Sequence, residues 1–409
     1  MRVVILADFA DPSGGAQRVA LVSARALAEA GVPVTYIHAV GDDGNGLLDH
    51  PQIERIGLGL SDVWDLPALK AARAGLWNGA AAGRLGAVLS QLPRGPTLIH
   101  IHQWTRAFSP AILPVCFQSG HPVAVTAHDY FLACPNGVYY RFERDEPCTV
   151  RPLSPRCILA PCDPRSAMHK AVRLLRSAAT ERVLRGRRFD VIHVSDRGRD
   201  TIAPFLPAPI RHHRVDNPVA VAQDEPARIG PDAKVAYIGR LTREKGADLV
   251  ALAAREAGVP VLFIGEGPLH DEISRIDPSA ELVGWHDPAQ VAALLRGRVR
   301  AVVAPSRWFE TGPLTVYEAQ ACGIPSIVSK RAGAAEKVIH GETGLIVAPE
   351  VEVLSDAFRR LSDLVEARRL GQAAYTQYWA APPSPAAHAA RLLEVYETLL
   401  PSERGGAIA

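Results

Sequence analysis

Several features are missing from this chain, and each absence narrows what it does. No apolar run approaches the length of a membrane span, which leaves the composition of a soluble globular protein. The opening stretch MRVVILADF offers five apolar residues before Asp8 interrupts, so it reads as a first β-strand and not as a signal peptide. Lysine is scarce, with six among the 45 basic residues, a bias that reflects genomic base composition and carries no functional reading. The six cysteines, at 116, 134, 148, 157, 162 and 322, form no Cys-x2-Cys knuckle. Without an export signal the compartment is expected to be reducing, so a disulfide framework is not expected. The glycine pair at 14 and 15 lacks the Lys-Ser/Thr ending of a Walker A loop. Neither an internal repeat nor a low-complexity tract is present.

What is present is a long chain with alternating β and α signals. At 409 residues, two domains are the default expectation. Apolar, β-branched runs at 3–6, 34–38, 98–102, 123–126 and 191–194 alternate with helix-compatible stretches. The rhythm repeats at 235–238, 259–264, 282–283, 301–304, 326–328 and 345–347. This pattern predicts an α/β protein of two Rossmann-like domains with parallel sheets, whose strand C-termini line a shared cleft. The expected boundaries are 1–217 and 218–382, with the linker at 218–232 where Asn-Pro, Glu-Pro and Gly-Pro cluster. A second break at 379–385 precedes an amphipathic closing helix, 386–400, with Leu392, Leu393, Val395 and Tyr396. The net charge of +2 conceals an asymmetry. Residues 1–215 hold 25 basic against 18 acidic side chains, and the remainder holds 20 against 25. The basic half either faces an anionic surface or acceptor or is unevenly decorated. No nucleic-acid partner is expected.

The most informative stretch runs from Pro305 to Gly323, PSRWFETGPLTVYEAQACG. Gly312 reads as an N-cap and Pro313 as the first helical residue, which leaves the amides of Leu314 and Thr315 facing outward at the positive end of a helix. A phosphate is the natural guest there. Glu310 precedes that helix and Glu318 stands on its second turn, so two carboxylates flank the anion site. Gly323 with Pro325 ends the helix. Amides for a diphosphate and carboxylates for hydroxyls describe a sugar nucleotide.

Three further loops follow strands. Gly239-Arg240-Leu-Thr-Arg-Glu-Lys245-Gly246 sets two cations over a strand end, suited to neutralising a diphosphate leaving group. Gly265-Glu266-Gly267-Pro268 shapes the nucleoside end of the pocket. Gly14 and Gly15 open the first helix and permit close approach of a phosphate or an acceptor; a plain tight turn is the alternative. His128 ends the strand 123–126, where its ring serves polar contact with a sugar or proton transfer near neutral pH. His100 and His102 share one face of another strand and read as packing.

Two clusters keep alternative readings. Cys134, Cys148, Cys157 and Cys162 lie in a Pro- and Arg-rich insertion, either as a structural zinc site or as reduced, buried thiols. The stretch 165–188 reads as a long helix with Arg165, Lys170, Arg173, Arg176, Arg182, Arg185, Arg187 and Arg188. It is either a peripheral contact with anionic membrane lipid or a solvated surface helix.

Taken together the motifs resemble the retaining glycosyltransferases of family 4, which have the GT-B fold. Glu310 and Glu318 match the family's E-x7-E signature, Arg240 and Lys245 its G-R-L-x-x-x-K-G signature, and Gly14-Gly15 its N-terminal glycine loop. His128 matches the strand-end histidine, and Ala319-Gln-Ala-Cys-Gly323-Ile-Pro325 the E-A-x-A-C-G-x-P continuation. The resemblance implies that Arg240 and Lys245 hold the diphosphate and that Glu310 contacts the donor sugar. It assigns Glu318 to the ribose, the Gly312–Thr315 backbone to sugar and phosphate, and His128 to the reaction centre of the acceptor domain. It implies a UDP- or GDP-sugar donor, a glycan or lipid-linked acceptor, and no catalytic metal, in keeping with the absence of an Asp-x-Asp motif. It also implies that the last helix, 383–400, crosses back to the N-terminal domain. The departure is at 332–336, Ala-Gly-Ala-Ala-Glu, where the family often has two glycines. The four-cysteine insertion resembles a bacterial subset associated with exopolysaccharide or lipid-linked glycan assembly. The expected location is cytoplasmic, peripheral at the inner face of the membrane if the basic helix docks. The rival readings are a nucleotide-sugar epimerase of the same fold and a catalytically silent glycan- or nucleotide-binding partner.

Overall fold

The computed structural model describes residues 1–400 apart from 13, 42–45, 94, 208 and 313. The chain divides into two compact units. Unit one comprises Met1–Val138, Val150–Pro218 and the segment from Pro383 onward; unit two comprises Tyr139–Thr149 and Val219–Pro382.

Unit one is built on seven parallel strands: β1 (Arg2–Phe9), β2 (Val34–Val40), β3 (Ile53–Gly57), β4 (Thr97–Ile101), β5 (Val123–Ala127), β8 (Phe189–His193) and β9 (Ile210–Arg214), in the order β3-β2-β1-β4-β5-β8-β9. The central strands are buried along nearly their whole length, which is why they read as continuous apolar runs. The two edge strands, IERIG and IRHHR, carry charges and have no fully buried residue. Their sequences resemble loops because an edge has one side in water.

The helix Pro385–Leu399 belongs to this unit. Ser384 caps it, accepting from the Ala387 amide, and Pro385 occupies its first turn. Leu392, Val395, Tyr396 and Leu399 complete the core formed with Leu21, Ala24 and Ala28 of the first helix, Gly15–Glu29. Buried polar bonds fix it further: His388 Nε2 lies 2.8 Å from the Ser23 hydroxyl, and the Tyr396 hydroxyl lies 2.6 Å from His100 Nδ1.

Unit two has six parallel strands: β10 (Lys234–Ile238), β11 (Val261–Ile264), β12 (Glu281–Leu282), β13 (Val299–Ala304), β14 (Ser326–Ser329) and β15 (Gly344–Val347). Their order is β12-β11-β10-β13-β14-β15. A short antiparallel pair, β6 (Tyr140–Arg141) with β7 (Glu146–Pro147), also groups with this unit although it lies in the sequence of the first. The chain winds outward from β10 to β12, then returns to β13 and winds the other way. Loops leaving the carboxyl ends of β10 and β13 therefore part to opposite sides, and the crevice between them is where a doubly wound sheet takes its ligand. Unit one reverses in the same manner between β1 and β4.

Candidate functional site

In unit two the reversal point brings together the residues that the sequence singles out. The loop after β10 carries Arg240 and Lys245, and the loop after β13 carries Glu310. Lys245 Nζ donates to Glu310 Oε1 at 2.7 Å, and the Ser306 hydroxyl donates to the other carboxylate oxygen. Glu310 is 7% exposed. Burial pushes its carboxyl upward, but the Lys245 ammonium, the Ser306 hydroxyl and the Arg240 charge outweigh that and hold it below the usual range. A buried carboxylate is thus kept ionised by the cation that the sequence assigns to a phosphate. Arg240 is exposed, and its carbonyl accepts from the Tyr237 hydroxyl at 2.7 Å. Burial raises the Tyr237 hydroxyl well above its ordinary value, and the Glu310 charge adds to this, so the phenol stays protonated as a donor.

The glycines are steric necessities here. A Cβ on Gly265 (φ 140°) would collide with the Gly239 carbonyl oxygen, so these two loops approach backbone to backbone. Gly246, with φ 77°, caps the helix Ala247–Ala257, and a Cβ there would stand 2.7 Å from the Pro305 carbonyl oxygen. The β10 and β13 loops therefore touch at Gly246. Glu266 is exposed at the rim, and its carbonyl accepts from the Leu241 amide at 2.9 Å.

Arg307 and Asp248 tie these loops together and escape a reading of the sequence. Arg307 makes two bonds of 2.7 Å to the Asp248 carboxylate and a third, of 2.6 Å, to the Arg243 carbonyl. Arg243 adds a 3.1 Å bond to the same carboxylate. Asp248 is 2% exposed, so one buried acid fixes both loops that carry Lys245 and Glu310. Nothing local marks Asp248, which follows Gly246 in an ordinary helix start. Asp248→Ala is expected to cost about 3 kcal/mol in stability, because it leaves the largely buried Arg307 guanidinium without its carboxylate, while Arg243 keeps Glu272 at 2.7 Å. Thermal melts check this, and Asp248→Ala with Arg307→Met should recover part of the loss.

The helix after the site spans Leu314–Ala321, and Pro313 lies outside the described residues. Gly312, Leu314 and Thr315 are half-buried at its start. Glu318 is half-buried one turn along, and its carbonyl accepts from the Cys322 amide at 3.2 Å. Burial first and the Glu318 charge next raise the Tyr378 hydroxyl to about 12. Glu318 thus faces a different neighbourhood from Glu310.

Gly14 and Gly15 belong to unit one. Gly14 caps the helix Gly15–Glu29 in an extended conformation. His128 follows β5, half-buried, with Nε2 at 3.1 Å from His102 Nδ1 and the two rings stacked at 5.3 Å. Burial lowers His128 to about 3, so the ring is neutral near pH 7 and acts through its hydrogen bonds. His100 packs as expected, bonded to Tyr396 and to the Thr126 hydroxyl. His102 differs, since it touches His128 directly. Asp8, at the end of β1, also escapes the sequence reading. It accepts from the amides of Arg106, Ala107 and Phe108 at 2.8–3.0 Å and so shapes the loop after β4.

The zinc alternative for the cysteines finds no support. Among the described residues no group of three or more His, Cys, Asp and Glu side chains is placed to hold a metal ion. Cys134 Sγ donates to Asn136 Oδ1 at 3.0 Å, and Cys162 Sγ accepts from the Lys170 ammonium at 2.8 Å. Cys148 falls in unit two, where its amide bonds to the Tyr139 carbonyl at 2.6 Å. Cys157 is buried beside the cap of a short helix of its own. Cys134 and Cys162 share Asn136, whose side-chain amide donates to the Cys162 carbonyl at 3.1 Å.

Comparison with known proteins places these observations. Residues 13–160 match Glycosyltransferase Family 4, and residues 222–397 match Glycosyl transferases group 1. A sucrose-phosphate synthase from Thermosynechococcus elongatus superposes with a TM-score of 0.71 at 19% identity, covering 97% of this chain and 98% of that one. Anabaena HepE in complex with UDP and glucose superposes at 0.66 with 16% identity, covering 98% and 100%. A glycogen synthase of Mycobacterium tuberculosis is 36% identical over 160 residues. That alignment covers 36% of this chain and spans 38% of the relative's length. The fold class is GT-B. The chain belongs to the family 4 glycosyltransferases.

Proposed function

We propose that the protein transfers a sugar from a nucleotide-sugar donor to a hydroxyl of a glycan or lipid-linked acceptor, with retention of anomeric configuration. The Lys245–Glu310 pair at the carboxyl ends of β10 and β13 carries this reading. The bond from the anomeric carbon to the diphosphate breaks, the acceptor oxygen bonds to that carbon, and the acceptor proton is released. Charge develops in two places, negative on the departing diphosphate and positive on the sugar. Arg240 and Lys245 answer the first and Glu310 the second.

A diphosphate entering the crevice competes with Glu310 for Lys245. The exchange leaves the carboxylate able to accept from sugar hydroxyls while Ser306 holds one of its oxygens. The amides of Leu314 and Thr315, with Gly312 and Pro313, contact the phosphate and sugar, and Glu318 takes the ribose. Gly239, Gly265 and Glu266 border the nucleoside. In unit one, the acceptor-binding half, neutral His128 contacts the reacting sugar while held by His102, and Gly14 and Gly15 admit phosphate or acceptor. Unit two is the donor-binding half, and no metal enters these roles.

A thermal-shift screen of UDP-, GDP- and ADP-sugars, followed by donor consumption with and without acceptor, tests the proposal. One nucleotide class is expected to raise the melting temperature, and consumption of that donor should depend on acceptor. Conversion of the donor alone to an isomeric sugar nucleotide would favour an epimerase. No stabilisation by any donor would favour a silent binding partner.

A further inference from the structure

The helix Ala167–Leu184 is inside out. Its basic residues suggest a charged outer face, yet Lys170 and Arg176 are 5% and 9% exposed and point inward. The Lys170 ammonium donates to Cys162 Sγ at 2.8 Å, Arg176 lies 4.5 Å from the centre of the Phe131 ring, and Arg173 pairs with Asp163 at 3.1 Å. Of its exposed positions before Arg182, all but His169 are apolar. Met168 is 75% and Leu175 58% exposed, with Ala171 and Ala178 exposed between and beyond them at helical spacing. The stripe ends at Arg182 and Arg185, both exposed.

A second helix, Ala68–Leu76, packs against this one and repeats the pattern. Leu69 is 89% exposed, Arg73 is exposed one turn on, and Trp77, at the C-cap, is 43% exposed one turn further. Where the two helices end, Trp77, Ala179, Arg182, Val183, Arg185 and Arg187 line a groove of about 340 Å³. The groove has an apolar floor, an indole and three guanidinium groups. From 165 to 188 the sole acidic side chain is Glu181, which bonds to Arg185 at 2.8 Å.

We infer that this face of unit one docks on an anionic phospholipid bilayer, with Met168, Leu175 and Trp77 at the acyl boundary and Arg182, Arg185 and Arg187 on lipid phosphates. An exposed apolar stripe marks an interaction surface. Its combination with tryptophan and arginine fits the interface of an anionic membrane. Charge separates this occupant from a second copy of the chain. A two-fold interface sets the same patch against itself, which would bring arginine against arginine with one carboxylate a side to answer them. Contact is peripheral: no helix among the described residues is long and apolar enough to cross a membrane. The inference is independent of the transfer reaction, since it rests on a surface outside that site.

Sedimentation of the full chain with phosphatidylcholine vesicles, with and without 30% phosphatidylglycerol, tests it at low and high salt. Binding is expected for the anionic vesicles alone, with a blue shift of tryptophan emission that Trp77→Phe reduces. Arg182→Glu with Arg185→Glu should weaken partitioning tenfold or more, at about fivefold for each arginine lost. Leu175→Ser with Met168→Ser should also weaken it, and Arg228→Glu, at a 94% exposed side chain of unit two, should not. All these sites are exposed, so melting temperatures should stay within a degree or two of the wild type. No binding to anionic vesicles at low salt, or binding that survives the double charge reversal, would overturn the inference. So would a concentration-dependent dimer that Leu175→Ser dissolves, which would identify the patch as a contact between copies.

Discussion

Lys245→Ala is expected to lower sugar transfer by about a hundred- to a thousandfold, the loss seen when one preorganised group facing developing charge is removed. Lys245 has two roles in the structure, and the variant separates them. In the unliganded protein its ammonium holds the buried Glu310 carboxylate ionised through a 2.7 Å bond. Its removal leaves that carboxylate with the Ser306 hydroxyl and the more distant Arg240 charge. The Glu310 carboxyl should then titrate upward, and stability should fall by about 2–3 kcal/mol, at the lower end for a broken ion pair because the Lys245 side chain is 23% exposed. Glu310→Gln keeps the shape and the bond from Ser306, and loses the charge that a cationic sugar requires. The double variant Lys245→Met with Glu310→Gln has no buried charge to desolvate, so it should regain most of the stability and none of the activity. Melting curves and initial rates for the three variants check the pattern. Activity that returned with stability in the double variant would show that the pair serves only the fold.

That coupling marks the limit of what the sequence conveys. Glu310 and Lys245 are both legible: one precedes a Gly-Pro helix start and the other sits in a strand-end loop with Arg240. Their contact is not legible, because 65 residues separate them and only the reversal between β10 and β13 brings them together. Buried strands such as β1 and β11 announce themselves as apolar runs, since helices cover both faces of the sheet. The edges β3 and β9 do not, because half of each faces water. Asp248 and Arg307 illustrate the same blindness at the site. An acid two residues into a helix reads as an ordinary first-turn carboxylate, and its burial becomes apparent when Arg307 arrives from another strand. The helix Ala167–Leu184 shows the opposite failure. Its arginines and lysine are plain in the sequence, but a spacing of three and four residues does not say which face is inward, and here Lys170 and Arg176 are on it.

Unit one is expected to be far less stable at pH 5 than at pH 7.5, through buried histidines. His100, His193 and His388 are 0%, 1% and 6% exposed. Burial lowers them to about 3, 3 and 4 respectively. Their neighbours do little to offset this. His100 meets the Tyr396 and Thr126 hydroxyls and the rings of His102 and His128, His193 meets His212 and Arg199, and His388 is favoured in its charged form only by Asp216. A depressed folded-state value means that the unfolded chain binds protons that the native chain refuses. The stabilisation is therefore complete above about pH 6.5 and is lost as pH falls toward 3–4. At pH 5 each ring forfeits about 2 kcal/mol, so the three together forfeit about 6 kcal/mol, comparable with the whole stability of many domains. Asp129 runs the other way. Burial raises it to about 6, so on acidification the native state takes up its proton first and gains. Asp8, also raised by burial, acts in the same direction, but two carboxyls do not balance the buried rings, and carboxylates held low, such as Glu310 and Glu281, lose their contribution only at more acidic pH. The melting temperature of unit one should drop by about 10–20 °C between pH 7.5 and 5. At pH 5, hydrogen exchange should lose protection in 97–127 and 385–399 before it does in 234–264. His388→Gln, which can still bond to Ser23 but does not titrate, should remove one ring's share of the pH dependence, about 2 kcal/mol at pH 5. A melting temperature unchanged across that range would mean that these rings are already protonated, or solvated, in the native protein.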